Sequence, residues 1–265
     1  MRLKRLTVAS TAIAMLAALA ASFASANNVT LPSRWYVNGV GLSAGQSAKI
    51  KCSVHEEEEV GNKLVIHAEV GEVAPKIKVT LTATGIECIN HEGTSEGNGS
   101  ARIEQTGTGT AENPYRAEAF GRIILTGVTV SEPAHCKVAG GSVTSNPVQI
   151  QALTDKANTK IRFNRVTPTG ANLATTKIES DGTGACSIEG NRVTKGAICS
   201  KAENEAGIMA VNQPVTHSLA VDETVGNTED SCELIFAGNP AHLTGTVSYE
   251  LAGANVGQKW GAKEK

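Results

Sequence analysis

Aromatic side chains are scarce in this chain: two Trp, three Tyr and four Phe among 265 residues. The core must therefore be built from Val, Ile, Leu and Ala. Rigid aromatic anchors dominate many binding surfaces, so their scarcity weighs against a large aromatic platform for glycans. Excess positive charge is missing too. The formal net charge is −2, and nucleic-acid binding needs a basic patch or stripe. Helical periodicity is also missing. Lys201 to Ala206 is the only piece with helical composition, and it is too short to hold a helix. Zinc sites want paired C-x-x-C or Cys/His spacing, which is absent, as is the D-x-D-x-D-G calcium loop. Gly39-x-Gly41 and Gly182-x-Gly184 do not open helices and so make no phosphate loop. No cofactor is implied.

One apolar run stands out, at the start. Arg2, Lys4 and Arg5 precede the Ala-rich segment Val8 to Phe23, and Ala24-Ser25-Ala26 supplies a small-residue cleavage site. This is the secretory signal pattern. The run falls short of the roughly 20 residues that a spanning helix needs, and no transmembrane anchor is expected in the mature chain. Loss of three basic residues takes Lys+Arg from 24 to 21 against 26 Asp+Glu, a net of −5. The expected location is secreted or at the cell surface, and no nucleic acid is expected as partner. Asn28-Val29-Thr30 and Asn98-Gly99-Ser100 are sequons, which matter only in a eukaryotic secretory pathway; the Ala-rich signal has a bacterial look.

All six cysteines, Cys52, Cys88, Cys136, Cys186, Cys199 and Cys232, lie in the exported part. An even count in an oxidising compartment points to three disulfides, and sequence alone does not fix the connectivity. The short spacing and intervening Gly-Asn favour Cys186–Cys199. Cys88–Cys136 comes next, and Cys52–Cys232 is what remains.

The remaining signals are those of strands. Asn38-Gly39 between apolar runs marks a hairpin with a type I′ turn. Leu64, Ile66, Ala68 and Val70 alternate with more polar neighbours, as do Ile77, Val79, Leu81 and Ala83, which predicts two half-buried antiparallel strands. Strands are expected at Ala48 to Val54, Ser100 to Thr106, Ala117 to Leu125 and Val215 to Val221, and a loop at Glu87 to Gly99. Ile123 to Ala152 alternates strand and turn around Cys136, Gly140-Gly141 and Asn146-Pro147. Near the end, Leu243, Val247, Tyr249 and Leu251 share one face with Gly245. Turn signals every eight to twelve residues or so predict an all-β, antiparallel, sandwich-like fold of two packed β units, held by disulfides. The division expected is 1–26 signal peptide, 27–153 N-terminal β domain, 154–252 C-terminal β domain and 253–265 flexible tail.

Across most of the mature chain the sequence resembles a group of uncharacterised secreted, cysteine-containing β-proteins of actinobacteria. The carrying phrases are WYVNGVGL, ILTGVTVSEPAHCKV followed by GGSVTSNPVQIQA, GACSIEGNRVTKGAIC, and PAHLTGTVSYELAG with Trp260-Gly261. The resemblance implies export, disulfides and β architecture, and it transfers no activity and no site residues.

Candidate chemistry is sparse. Gly41-Leu42-Ser43-Ala44-Gly45 matches the nucleophile-elbow pattern, with Asp222 and His242 downstream. That elbow requires a helix after the serine, and a β-strand is expected there instead. His55, His67 and the run Glu56, Glu57, Glu58 and Glu59 hold metal-ligating groups, but without a ligand spacing they read as a solvated acidic tip. Glu179, Asp181 and Glu189 surround Cys186 as acidic turn residues. Paired carboxylates can hydrolyse glycosides, yet no aromatic residue for a sugar ring lies nearby. No catalytic, cofactor-binding or metal residue is assigned. The chain reads as a secreted non-catalytic cell-envelope or extracellular interaction protein of unknown ligand, its expected partner a cell-envelope component or polysaccharide. A secreted hydrolase assembled only in the fold and a self-associating surface structural protein stay open as alternatives. A groove exposing Trp35 or Trp260 would favour ligand binding. N-terminal sequencing of the exported protein is expected to begin at Asn27; any other start refutes the cleavage site.

Overall fold

The computed structural model describes residues 33–54, 63–71, 76–90, 101–154, 161–168, 172–196, 198, 216–222 and 234–264. About two thirds of them are strand, and no α-helix occurs among them. In chain order the first strands are β1 (Ser33–Val37), β2 (Val40–Gly41), β3 (Ser47–Val54), β4 (Leu64–Val70), β5 (Ile77–Ala83), β6 (Gly85–Ile89) and β7 (Ala101–Thr106). The middle of the chain forms β8 (Arg116–Thr126), β9 (Thr129–Glu132), β10 (Cys136–Val138), β11 (Ser142–Thr144), β12 (Val148–Thr154) and β13 (Ile161–Pro168). The last third forms β14 (Ala174–Ser180), β15 (Gly190–Gly196), β16 (Thr216–Asp222), β17 (Leu234–Phe236), β18 (Asn239–Leu251) and β19 (Trp260–Glu264). All pairings are antiparallel, in a small sheet β19-β1-β2 and a large curled sheet. The long path of the large sheet runs β10-β14-β15-β17-β18-β3-β7-β8-β12-β13. The architecture is all-β, antiparallel and sandwich-like, as the alternation predicts.

The period-two segments become what they encode. Leu64, Ala68, Val79, Leu81 and Ala83 are buried while His67, Glu69 and Lys78 face out. β4 and β5 pair in a hairpin register from Val70↔Ile77 to Leu64↔Ala83. The Asn38-Gly39 turn has φ of 50° and 77°, the positive pair that a type I′ turn demands.

Strand β18 is the spine. It pairs with β17 at Asn239 to Ala241, β4 at Ala241 to Thr244, β16 at Thr244 to Glu250 and β3 at Val247 to Leu251. The overlaps at Ala241, Thr244 and Val247 require β4 and β3 to share one edge and β17 and β16 the other. Ala241, Leu243, Val247, Tyr249 and Leu251 are buried. The partner change falls at Gly245, where φ is +137° and a Cβ would sit 2.7 Å from the Lys63 carbonyl oxygen.

Two expectations are corrected. Glu87 to Ile89, predicted as loop, belong to β6, which pairs with β8; the β-branched content of Gly85–Ile89 is modest, and the supply of an edge decides the matter. Residues 253–264, expected as a flexible tail, carry a 3-10 turn at Gly253–Asn255 and then β19, which pairs with all of β1. Trp260 supplies the reason. It is fully buried, with its ring centroid 5.7 Å from that of Trp35.

The disulfides differ from all three expected pairs. Cys52 joins Cys88 and Cys136 joins Cys186, with Cα separations of 5.4 and 4.9 Å. Cys186–Cys199 fails because Gly190-Asn191 is not a turn. It opens β15, whose first residue pairs with Ile178, so Cys186 stays in the β14–β15 connection. β10 runs beside β14 with Cys136 opposite Ser180, which brings Cys136 to that connection. Cys88–Cys136 and Cys52–Cys232 fail because β6 carries Cys88 to Cys52 of β3. Cys199 and Cys232 lie outside the described residues.

The loops closed span 36 and 50 residues, worth about 4 kcal/mol each in the chain-entropy estimate. Cys136→Ser and Cys186→Ser are each expected to lower stability by about 2–5 kcal/mol, and the double variant by no more than either. A denaturation midpoint that falls additively, or a non-reducing peptide map without Cys136–Cys186, would refute the pairing.

Candidate functional site

Three places combine polar groups with shape. The first is a cavity inside the curled sheet, about 90 Å³ in volume. Side chains from β4, β5, β6, β8, β11, β14, β15, β17 and β18 line it, among them Leu64, Leu81, Ile86, Leu243 and Val247. Among the described residues no charged side chain takes part. Ile66, Ile123, Leu125, Val143 and Ile198 are only half-buried and mark the side on which it meets solvent. Four lining residues carry hydroxyls. Tyr249 is buried, which pushes its phenol well above the ordinary range, so it stays neutral. Ser145 is committed: its Oγ accepts from the Ile123 amide at 2.8 Å and donates to the Asn146 carbonyl at 2.7 Å. Thr176 and Thr194 are 3% and 5% exposed, and among the described residues neither hydroxyl has a hydrogen-bond partner. The register Ala174↔Thr194 and Thr176↔Arg192 sets the two threonines diagonally on one face of β14–β15.

The second is an open groove of about 370 Å³ on the outer face of β4, β5 and β18. One cross-strand row crosses it: His242↔His67, His67↔Thr80 and Thr80↔Glu132. Thr80 Oγ1 lies 3.3 Å from His67 Nδ1 and donates to Glu132 Oε2 at 3.3 Å. A carboxylate only accepts and the hydroxyl has one proton. With the hydroxyl proton given to Glu132, His67 Nδ1 is left as the donor to Thr80.

The third is the turn beside Cys136–Cys186. Asp181 Oδ1 accepts from the Thr183 hydroxyl at 2.6 Å and the Thr183 amide at 2.7 Å. The Thr183 side chain and amide, with smaller help from His135 and Lys137, hold the carboxyl below its usual range. His135 Nδ1 lies 2.8 Å from Thr183 Oγ1. The same proton count makes it a donor to the threonine. Glu179 sits between Lys137 at 3.7 Å and Lys177 at 3.9 Å. Asp181 and Glu179 are thus held locally.

The structure separates the elbow residues. Ser43 lies between β2 and β3 with no helix after it, and its amide donates to Gln46 Oε1 at 2.7 Å. It lies before the Ile50↔Leu251 pairing, whereas His242 is nine residues back along β18, about 30 Å of strand. Asp222 stands in register with Thr244. His67, weighed beside His55 and the Glu56 to Glu59 run, pairs instead with His242; His55 and that run lie outside the described residues. Among the described residues no three His, Cys, Asp or Glu are placed together for a metal ion. Trp35 and Trp260 are fully buried and expose no groove. Trp35 Nε1 donates to the Glu118 carbonyl, while its amide donates to buried Gln105, so this ring bonds the small sheet to the large one. Sequence reading missed the cavity because its lining comes from nine strands. The threonine relays were also missed, since each spans tens of residues.

No known protein family, curated protein or solved structure matches the chain. No helix among the described residues is long and apolar enough to cross a membrane.

The proton count fixes the tautomers. ¹⁵N imidazole shifts of the neutral protein are expected to show Nδ1–H, with an unprotonated Nε2, for both His67 and His135. Thr183→Val should remove that preference at His135. An Nε2–H tautomer in the wild type would refute the relays.

Proposed function

We propose that this chain is an exported, non-catalytic binding protein whose interior cavity takes the end of a neutral aliphatic molecule bearing a hydroxyl or carbonyl group. The observation that carries this reading is the pair of buried hydroxyls, Thr176 and Thr194, which have no hydrogen-bond partner among the described residues and stand in a mostly aliphatic wall. A buried polar group left unpaired costs about 1–3 kcal/mol, so each hydroxyl favours an occupant that can pair with it. A charged occupant is disfavoured, because burying an unpaired ion costs far more and no counter-charge lines the cavity among the described residues. Size sets the rest. An apolar cavity of about 150 Å³ admits benzene, and a water takes roughly 30 Å³. About 90 Å³ therefore suits a chain end of about three or four carbons and not an aromatic ring. Each buried methylene contributes about 0.8 kcal/mol, which with hydrogen bonding points to affinities around the millimolar for the fragment alone.

The leader pattern and the two described disulfides support an extracytoplasmic setting. Export brings aliphatic components of the cell envelope within reach. Separation of Ser43 from His242 along β18 removes one arrangement on which a hydrolase reading would have stood.

Methyl NMR titration of the oxidised mature chain with 1-butanol, 2-butanone, butyrate and benzene tests this reading. Saturable shifts at Val247 and Leu243 with butanol and butanone are expected, and none with butyrate or benzene. Val247→Phe should abolish them, and the double substitution Thr176→Val with Thr194→Val should weaken binding about tenfold. Unchanged titration in Val247→Phe, or a cavity that holds water alone at saturating butanol, would overturn it.

A further inference from the structure

We infer that the groove on β4, β5 and β18 is a two-histidine site for a divalent transition-metal ion, zinc, copper(II) or nickel, ligated by the Nε2 atoms of His67 and His242. Three observations carry it. First, the two residues are direct register partners on adjacent antiparallel strands and both are exposed. Side chains so placed share a face, with Cβ atoms about 4.5–5.5 Å apart. Two imidazoles at that spacing can converge on one ion at about 2.0–2.1 Å each.

Second, His67 is already set in the ligating form. Its Nδ1–H donates to Thr80 Oγ1, whose hydroxyl donates a hydrogen bond to Glu132. The lone pair is therefore on Nε2, and the ring is held by a hydroxyl–carboxylate relay. Metal-binding histidines characteristically donate their other ring N–H to a carboxylate, carbonyl or water, which orients the ring and strengthens the donor. Thr80 is a positioning residue here and Glu132 stands behind it.

Third, the surroundings tolerate a cation. Among the described residues the charged groups lining the groove are Glu69 and Glu132 against Lys76 and Lys78, whose formal charges cancel. Imidazole nitrogens select zinc, copper or nickel over calcium and magnesium, which take oxygen ligands. Two protein ligands leave at least two positions of a tetrahedral ion open. Water, or the same pair from a second copy of the chain, completes the shell. The site is independent of the interior cavity, which lies on the opposite face of β18.

The test is calorimetric titration of tag-free, chelator-treated mature protein with Zn²⁺ and Ni²⁺, with native mass spectrometry for stoichiometry. Saturable binding is expected, at one ion per chain or one per two chains. His67→Gln and His242→Gln should each weaken it about tenfold or more, and Thr80→Val about tenfold with both ligands retained. His135→Gln, on a different turn, should leave it unchanged. Zinc-dependent shifts of the His67 and His242 Nε2 resonances provide a readout that a folding defect would not mimic. Absence of binding at millimolar zinc, or binding that survives both histidine substitutions, would overturn the inference.

Discussion

The fold depends on one contact, the approach of the Lys63-Leu64 backbone to Gly245. A single strand, β18, has to be bordered by four others, and its partner on one edge changes from β4 to β3 within a few residues. The change is possible because residue 245 has no side chain and holds a φ of +137°. Any Cβ there would collide with backbone, which cannot move aside as a flexible side chain can. With the crossing in place, period two does the rest. Leu243 and Val247, on either side of the glycine, point into the cavity, while His242 points out into the groove. The two candidate sites are thus opposite faces of one strand. A one-residue slip of β18 would exchange them, so the register at Gly245 sets both.

A second device occurs twice. In His67–Thr80–Glu132 and His135–Thr183–Asp181, a threonine hydroxyl bridges an imidazole and a carboxylate. The hydroxyl has one proton, so committing it to the carboxylate makes the ring N–H the donor. Each relay fixes a tautomer without burying a charge, and both stand at the surface, where a fixed lone pair is available to solvent or ligand. They differ in what lies across from the imidazole. His135 rests on the backbone of Gly184, whereas His67 faces a second histidine. That difference is why only one of them makes a metal site.

Much of the architecture was legible because alternation is a local signal. Leu64 to Val70, Ile77 to Ala83 and Leu243 to Leu251 each declare their buried face in the letters, and Asn38-Gly39 declares its turn. What was not legible depends on pairing between distant strands. Cys136 finds Cys186 through the β10–β14 register, and spacing to Cys199 carries no information about that. β6 is a strand because β8 offers it an edge, and β19 is one because Trp260 finds Trp35. His67 and His242 are 175 positions apart, and they met only when β4 paired with β18. Thr176 and Thr194 look like ordinary strand threonines until the walls around them turn out to be aliphatic.

An aromatic-poor core bears on why such a cavity persists. Leu, Ile, Val and Ala fill space in small increments, and walls packed from nine strands with them leave a gap. Against the same walls fully packed, a cavity of about 90 Å³ costs about 2 kcal/mol, and two unpaired threonine hydroxyls cost about 1–3 kcal/mol each. Together those terms come to about 4–8 kcal/mol, within the roughly 8 kcal/mol that the two described disulfides contribute between them. A chain cross-linked by Cys52–Cys88 between β3 and β6 and by Cys136–Cys186 between β10 and the β14–β15 connection can keep an imperfect interior and stay folded. Valine at 176 and 194 would remove the polar penalty with almost no change of shape. That the hydroxyls stand in a cavity instead is best accounted for by an occupant that pairs with them.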